Sequence, residues 1–338
     1  MAAAQIENRN VRREVARGIE EKGLSQVSEG GAVAFVFPGQ GSQYVGMGKE
    51  LCVQFVVAKQ VFAEADQALG FPLSELCFAG PEADLKLTEH TQPAILTVTI
   101  AALRVLESET ALRPNFVAGH SLGEYSALVC AGALSFRDAV RVVRERGRLM
   151  QAAVPAGTGA MAVILGLDAG AVAALCEAAS AGEVVAPANY NGGGQIAIAG
   201  ARDAVARAKA LAEKHGAKRV LDLPVSAPFH CELMRPAAEG LKRILSEVEI
   251  RPFSIGVITN VEAELNLEYG RVKSLLADQA VRPVRWEETV RKLDALGCRR
   301  ALEIGPGKVL KGLIKRIVPQ LAVDNFETPE DLTRVKAG

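Results

Sequence analysis

The sequence predicts an α/β protein with a largely parallel sheet, interrupted by a smaller unit of ferredoxin-like βαββαβ order. Three observations carry this. Short apolar runs at 32–37 and 115–118 end in glycine-bearing loops and feed helical patterns. Between 157 and 224 six segments read strand, helix, strand, strand, helix, strand. After Pro224 the strand and helix alternation resumes, so the small unit is inserted into the large one.

Taken in order, residues 1–30 form a polar lead-in with one amphipathic pattern (Val11, Val15, Ile19) and no assignable function. The run Ala32-Val33-Ala34-Phe35-Val36-Phe37 reads as a strand and ends in Pro38-Gly39-Gln40-Gly41-Ser42-Gln43, whose glycines allow a tight turn. Helical patterns follow at 47–69 and 92–108, then a strand at 115–118 and Gly119-His120-Ser121-Leu122-Gly123 running into a helix. The inserted unit reads as strand 160–165, helix 168–179, strands 183–188 and 195–199, helix 201–215 and strand 218–223. Helix 232–248, strand 255–258, helix 286–296, strand 300–304 and helix 308–317 complete the pattern. The implied division is an extension at 1–30, a large domain at 31–156 with 225–330, and a small domain at 157–224.

Composition narrows the function. With 338 residues, 49% hydrophobic and 23% charged, the chain can bury a core of globular size. Its 39 basic and 39 acidic side chains cancel, which argues against nucleic acid as principal partner. The most apolar stretch, 116–136, contains His120 and Glu124, so no membrane span is expected. Ten charges of both signs in the first 30 residues exclude a secretory signal, and Glu7, Glu14, Glu20 and Glu21 count against a transit peptide; a cytoplasmic location is expected. The six cysteines (Cys52, Cys77, Cys130, Cys176, Cys231, Cys298) are scattered among apolar neighbours, and neither a disulfide framework nor a metal site is expected.

The strongest local signal is Gly119-x-Ser121-x-Gly123 between a strand and a helix, the context in which a serine projects from a sharp turn as a nucleophile. The main-chain N–H of Leu122 then lies at a helix start, where it can stabilise an oxyanion. The plainer reading is a Gly-Ser turn that only caps a helix. Of four histidines, His90 in a polar loop and His215 at the end of a charged helix read as solvated, and His120 as a supporting residue. His230, in Ser226-Ala227-Pro228-Phe229-His230, reads as the base on a loop held by a sheet, against the alternative of a packed loop histidine. Gly192-Gly193-Gly194-Gln195-Ile196-Ala197 matches G-x-G-x-x-A, but a strand pattern follows it, which rejects a dinucleotide site. Gly46-Met47-Gly48-Lys49-Glu50 and Gly305-Pro306-Gly307-Lys308 lack P-loop spacing. The basic segment 141–148 has helical spacing, and one buried arginine in it could hold a substrate carboxylate.

Five motifs together, Phe37-Pro38-Gly39-Gln40-Gly41-Ser42-Gln43, Thr91-Gln92-Pro93-Ala94, Gly119-His120-Ser121-Leu122-Gly123-Glu124, Arg146-Gly147-x-x-Met150-Gln151 and Ala227-Pro228-Phe229-His230, resemble the malonyl-CoA:acyl carrier protein transacylases of fatty acid synthesis. The resemblance covers residues 31 to about 320. It implies an α/β-hydrolase-like large domain with a ferredoxin-like insertion, and malonyl transfer from malonyl-CoA to the phosphopantetheine thiol of acyl carrier protein through Ser121. It further implies His230 as base and acid, oriented by the main-chain carbonyl of Gln279; an oxyanion hole from the amides of Gln40 and Leu122; Arg146 on the malonyl carboxylate; and Gln92, Met150 and Phe229 in the pocket. Phe229 stands where relatives accepting methylmalonyl carry a smaller residue, which implies preference for unbranched malonyl. No cofactor beyond the substrates and a monomeric state are implied.

Competing readings are a serine hydrolase, which would pass the acyl group to water, an acyltransferase serving a polyketide synthase or malonate decarboxylase, and a non-catalytic carrier-binding scaffold. Product identity separates the first, carrier identity the second, and indifference to loss of Ser121 or His230 the third.

Overall fold

A computed structural model describes residues 31–225 and 227–337. The N-terminal extension and its Val11, Val15, Ile19 pattern lie outside the described residues. The strands are β1 (Ala32–Phe37), β2 (Phe116–Gly119), β3 (Gly159–Leu165), β4 (Val185–Gly192), β5 (Gln195–Ala201), β6 (Arg219–Asp222), β7 (Gly256–Ile258), β8 (Leu265–Asn266), β9 (Cys298–Ile304) and β10 (Ala322–Phe326). They form a six-stranded sheet in the order β10-β9-β1-β2-β7-β8 and a four-stranded sheet in the order β4-β5-β3-β6. The first is parallel except for β8, and the second is antiparallel throughout.

The continuous apolar run of β1 follows from its central place. Phe35 and Phe37 enter one cluster with Leu96, Val117 and Leu302, while Ala34 and Val36 enter another with Phe116, Ala118 and Trp286. Both faces of a central parallel strand are covered by helices, so neither alternate position can be polar. Burial of each large side chain stabilises the fold by about 1.5–3 kcal/mol. In the second sheet Ala162 and Ile164 face the helices Ala169–Ser180 and Arg202–Lys214, through Val172, Leu175 and Val205. Met161 and Val163 point the other way, into a cluster with Met150, Phe229 and Met234.

Register decides where loops meet. Phe37 pairs with Gly119 and Ala118 with Ile258, so β1, β2 and β7 finish at one edge of the parallel sheet. Loops leaving adjacent parallel strands at such an edge are where α/β proteins gather ligand-binding residues.

The structure departs from the sequence pattern at several points. The helix expected at 47–69 is two helices, Lys49–Gln54 and Val56–Leu69, with Phe55 extended between them at φ −121° and ψ 122°. From that position Phe55 packs against the main apolar cluster. The helix expected at 92–108 spans Thr88–Glu109 with Pro93 inside. Near the N-terminal end a proline removes a single helical hydrogen bond, which the buried flank around it offsets. The strand expected at 183–188 runs to Gly192 with register shifts at Pro187/Asn189 and Tyr190/Gly192. Strand β10 and the helices Leu73–Ala79, Val272–Gln279 and Asp331–Ala337 complete the chain; Leu332 and Val335 of the last join the main cluster. Among the described residues no helix is long and apolar enough to cross a membrane.

Candidate active site

Ser121 lies between β2 and the helix Gly123–Cys130, with φ of 50°. Non-glycine residues avoid this left-handed region at a cost of about 1–3 kcal/mol, so surrounding bonds must hold it. Asn260, just beyond β7, does so: its Oδ1 accepts the Ser121 N–H at 2.7 Å and its Nδ2 donates to the Gly119 carbonyl at 2.6 Å. On the other side the turn rests on the end of β1. A Cβ on Gly123 would fall 2.0 Å from the Phe37 carbonyl oxygen, so only glycine permits this approach.

The Ser121 hydroxyl is 2.7 Å from His230 Nε2, and His230 Nδ1 is 2.7 Å from the main-chain oxygen of Gln279. A carbonyl can only accept, so Nδ1 carries the proton and Nε2 is free to accept from the serine. His230 is buried on the segment that follows the antiparallel sheet, itself at φ 62°. Burial, and next the Arg146 guanidinium, depress its pKa to about 3. The imidazole is therefore neutral across the ordinary pH range. A serine hydroxyl bonded to a neutral, oriented imidazole can be deprotonated as it attacks an acyl carbon.

Arg146 projects from the helix Phe136–Ala152 and is 3% exposed, whereas Arg141 and Arg148 on the same helix face outward. Its Nη1 donates to Gln92 Oε1 at 2.7 Å, and its Nη2 donates to Gln279 Oε1 at 2.9 Å and to Ser121 Oγ at 3.2 Å. The guanidinium carbon also lies 5.5 Å from the Tyr125 ring centroid. Arg146 forms no ion pair among the described residues, and its Nε has no hydrogen-bond partner there. Burial lowers its pKa, yet a guanidinium keeps its charge in proteins. A buried cation beside a nucleophile, held only by amides and a hydroxyl, can accept a carboxylate as its partner. Gly147 brings the two helices together, since a Cβ there would lie 2.6 Å from the Thr88 carbonyl oxygen. Gln92 reaches Met150 as well, with Nε2 3.8 Å from the sulfur, and Met150 shares its apolar cluster with Phe229.

Gln40 and Leu122 stand three residues beyond Phe37 and Gly119, which pair across β1 and β2. Their main-chain N–H groups donate to no acceptor among the described residues. The Leu122 amide also opens a helix, whose dipole favours negative charge. Two such amides on adjoining loops are suited to stabilising an oxyanion.

The residues picked from sequence thus converge: Ser121, His230, Arg146, Gln92 and Gln279 are linked by direct bonds. His120 does not reach the serine; its Nε2 meets Asn191 Oδ1 at 2.8 Å and its ring lies 5.6 Å from that of Trp286. His90 is half-buried in the first turn of the helix Thr88–Glu109 and not in a loop, and its Nδ1 meets the Asp84 carbonyl oxygen at 2.9 Å. His215 is exposed at a helix end. Gly193 and Gly194 form the turn of the β4/β5 hairpin, with Gly192 ending β4 opposite Gln195. Among the described residues no three His, Cys, Asp or Glu cluster in a way that could hold a metal ion. Two residues at the centre went unmarked by sequence reasoning. Glu124 closes the quoted Gly119-to-Glu124 motif, and Asn260 stands two residues past β7; a polar pair, Thr259-Asn260, after a buried strand is the signal that could have found the latter.

Residues 34–329 match the family model for the acyl transferase domain. The chain is 50% identical over 301 residues to the malonyl CoA-acyl carrier protein transacylase of Bacillus subtilis, covering 89% of this chain and 95% of that protein. It is similar to the crystal structure of an acyl carrier protein S-malonyltransferase from Vibrio cholerae, with 49% identity, a TM-score of 0.88, and coverage of 90% of this chain and 99% of that one. A second similar structure holds a type II PKS acyl-carrier protein in complex with its malonyl-transacylase, at 45% identity and a TM-score of 0.89, covering 91% and 100% of the two chains. With the fold, the mixed parallel and antiparallel sheets and most of the length shared, the chain is an acyltransferase and belongs to the malonyl CoA-acyl carrier protein transacylase family.

Proposed function

We propose that the chain transfers the malonyl group of malonyl-CoA to the phosphopantetheine thiol of acyl carrier protein, by a ping-pong route through a malonyl ester of Ser121, and so supplies fatty acid chain elongation. The observation that carries this reading is the buried Arg146 guanidinium, without a carboxylate partner among the described residues, 3.2 Å from the Ser121 hydroxyl. A nucleophile with a cation at that distance suits an acyl group that ends in a carboxylate.

In the first half-reaction Ser121 Oγ attacks the thioester carbon while His230 Nε2 takes the hydroxyl proton. The carbon–sulfur bond breaks, and the departing CoA thiolate recovers the proton from His230. In the second the phosphopantetheine thiol gives its proton to His230 and attacks the serine ester, and Ser121 leaves as a hydroxyl with that proton. The amides of Gln40 and Leu122 hold the oxyanion in both halves; losing one such donor costs about 3–4 kcal/mol. Arg146 grips the malonyl carboxylate, Gln92 holds Arg146, and Met150 and Phe229 line the pocket. Gln279 orients His230 through its carbonyl. Hydroxyl, imidazole and amides supply the whole chemistry, so the reading needs no metal or cofactor beyond the two substrates. The similar transacylase in complex with an acyl-carrier protein supports a carrier protein as acceptor.

The same reading places the protein in the cytoplasm as a monomer. It treats the parallel sheet as an α/β-hydrolase-like domain (31–156 with 225–330) and the antiparallel one as a ferredoxin-like insertion (157–224). The 2-3-1-4 order of that insertion's strands supports the latter.

Intact-protein mass spectrometry after brief exposure to malonyl-CoA, followed by addition of phosphopantetheinylated carrier, tests the proposal. A malonyl adduct that requires Ser121 and moves to the carrier supports it. An adduct lost to water with no carrier loading points to a hydrolase, and absence of any adduct removes the acyl-enzyme route.

A further inference from the structure

Glu124 is a buried carboxyl group with no direct role in the reaction above. It sits in the first turn of the helix after Ser121, 2% exposed, and takes part in no ion pair among the described residues. A carboxyl group so placed is costly unless its oxygens are used. One of them is used twice: Oε2 accepts Gln279 Nε2 at 2.7 Å and the Asn260 main-chain N–H at 3.1 Å.

The consequence lies in the Gln279 amide. Its Nε2 donates to Glu124 and, at 3.0 Å, to the Ser121 carbonyl, while its Oε1 accepts from Arg146 Nη2 at 2.9 Å. Turned over, the amide would point its NH2 at a guanidinium that can only donate, and its oxygen at the Ser121 carbonyl, which can only accept. The partners therefore admit one orientation, and among the described residues Glu124 is the only side chain that accepts from its nitrogen. Asn260, held by the same carboxyl oxygen, clamps the Ser121 turn.

We propose that Glu124 is a positioning residue for the carboxylate-gripping arginine: by accepting from Gln279 it turns the amide oxygen toward Arg146 and sets the angle at which the guanidinium meets the acyl carboxylate. This rests on the reading of Arg146 as the group that holds malonyl. A residue that only supported the fold would alter transfer of all acyl groups alike. One that aims the guanidinium alters the preference for an acyl group bearing a carboxylate.

The test measures kcat/KM for malonyl-CoA and acetyl-CoA, with holo carrier protein as acceptor, in the full chain and its Glu124→Met, Glu124→Gln, Gln279→Met, Glu124→Met/Gln279→Met and Arg146→Ala variants. Glu124→Met keeps the volume and deletes the acceptor. It is expected to lower the malonyl-to-acetyl ratio by about tenfold or more, the worth of one hydrogen bond to a charged group. Glu124→Gln, whose amide oxygen can accept both bonds, is expected to restore most of the ratio. Gln279→Met reads the same link without touching residue 124, and the double variant is expected to lose no more than the larger single. An unchanged ratio in Glu124→Met alongside a collapsed ratio in Arg146→Ala overturns the role of Glu124 alone. So do additive losses in the double variant. A ratio that survives in Arg146→Ala overturns the reading of Arg146 and this proposal with it.

Discussion

Replacing Arg146 by alanine removes both nitrogens that face the Ser121 hydroxyl and Gln92, from a site that is 3% exposed. Each charge-assisted hydrogen bond to a substrate carboxylate is worth about 1.5–3 kcal/mol, and two from one planar fork are not fully additive. Stranding a buried carboxylate without its partner costs about 2–5 kcal/mol, which sets the total. At about 1.4 kcal/mol for each tenfold change, kcat/KM for malonyl-CoA should fall about 30-fold to several thousandfold. Acetyl-CoA brings no carboxylate, so its transfer should change little beyond the loosening of Gln92 and Gln279. Rates of carrier loading from the two donors, measured side by side, give the ratio directly. Arg146→Lys should recover only part of the loss, because an ammonium supplies the charge without the fork. Equal losses for malonyl and acetyl would refute the reasoning and assign Arg146 to support of the Ser121/His230 pair.

Three further outcomes are expected. Gly123→Ala places a Cβ 2.0 Å from the Phe37 carbonyl oxygen, so the serine turn must move; overpacking of this kind costs about 1–3 kcal/mol, and both thermal stability and acylation rate should drop, whereas unchanged melting would contradict the close approach. Phe229→Ser should open the pocket to a branch methyl and raise the methylmalonyl-to-malonyl ratio of kcat/KM about tenfold, since one methylene is worth about 1–3 kcal/mol; no change would remove Phe229 from the pocket wall. Burial raises the pKa of Glu124 from the ordinary 4.5 to about 7. The native state therefore holds a proton between those values that the unfolded chain has lost, and stability from this group falls as pH rises through the interval. Glu124→Gln has no such proton, so urea denaturation should show wild type losing up to about 3 kcal/mol relative to the variant between pH 4.5 and 7.5; parallel curves would contradict it.

Much of the site was legible because its parts are bound to local chain geometry. A serine between strand and helix, flanked by glycines, marked Ser121 as a candidate, and the bond to His230 Nε2 is what a helix-capping turn alone would not supply. The basic segment 141–148 offered one buried arginine without saying which; the resemblance picked Arg146, and the fold separates it from Arg141 and Arg148, which share the helix and face outward. Glu124 and Asn260 were not legible as a pair, since what joins them is a hydrogen bond across 136 residues. The break at Phe55 carries neither glycine nor proline, so no local signal marks it, and the contact its ring makes with the main apolar cluster is made across the fold. The strands of the inserted unit were legible to within a few residues, because Met161/Val163 and Ala162/Ile164 alternate between two different apolar neighbourhoods. The two-residue β8 offers too short a pattern to read at all.

The hold on His230 has a consequence for mutational tolerance. Its Nδ1 donates to a main-chain oxygen. A carboxylate in that place could be erased by a single codon change, but no substitution deletes a carbonyl. The side chain of Gln279 serves Arg146 and Glu124 while its backbone serves the histidine, so one position performs two tasks that selection can address separately. Side-chain substitution at 279 therefore leaves the oxygen that holds His230 Nδ1 in place while removing or changing the bonds to Arg146, Glu124 and the Ser121 carbonyl.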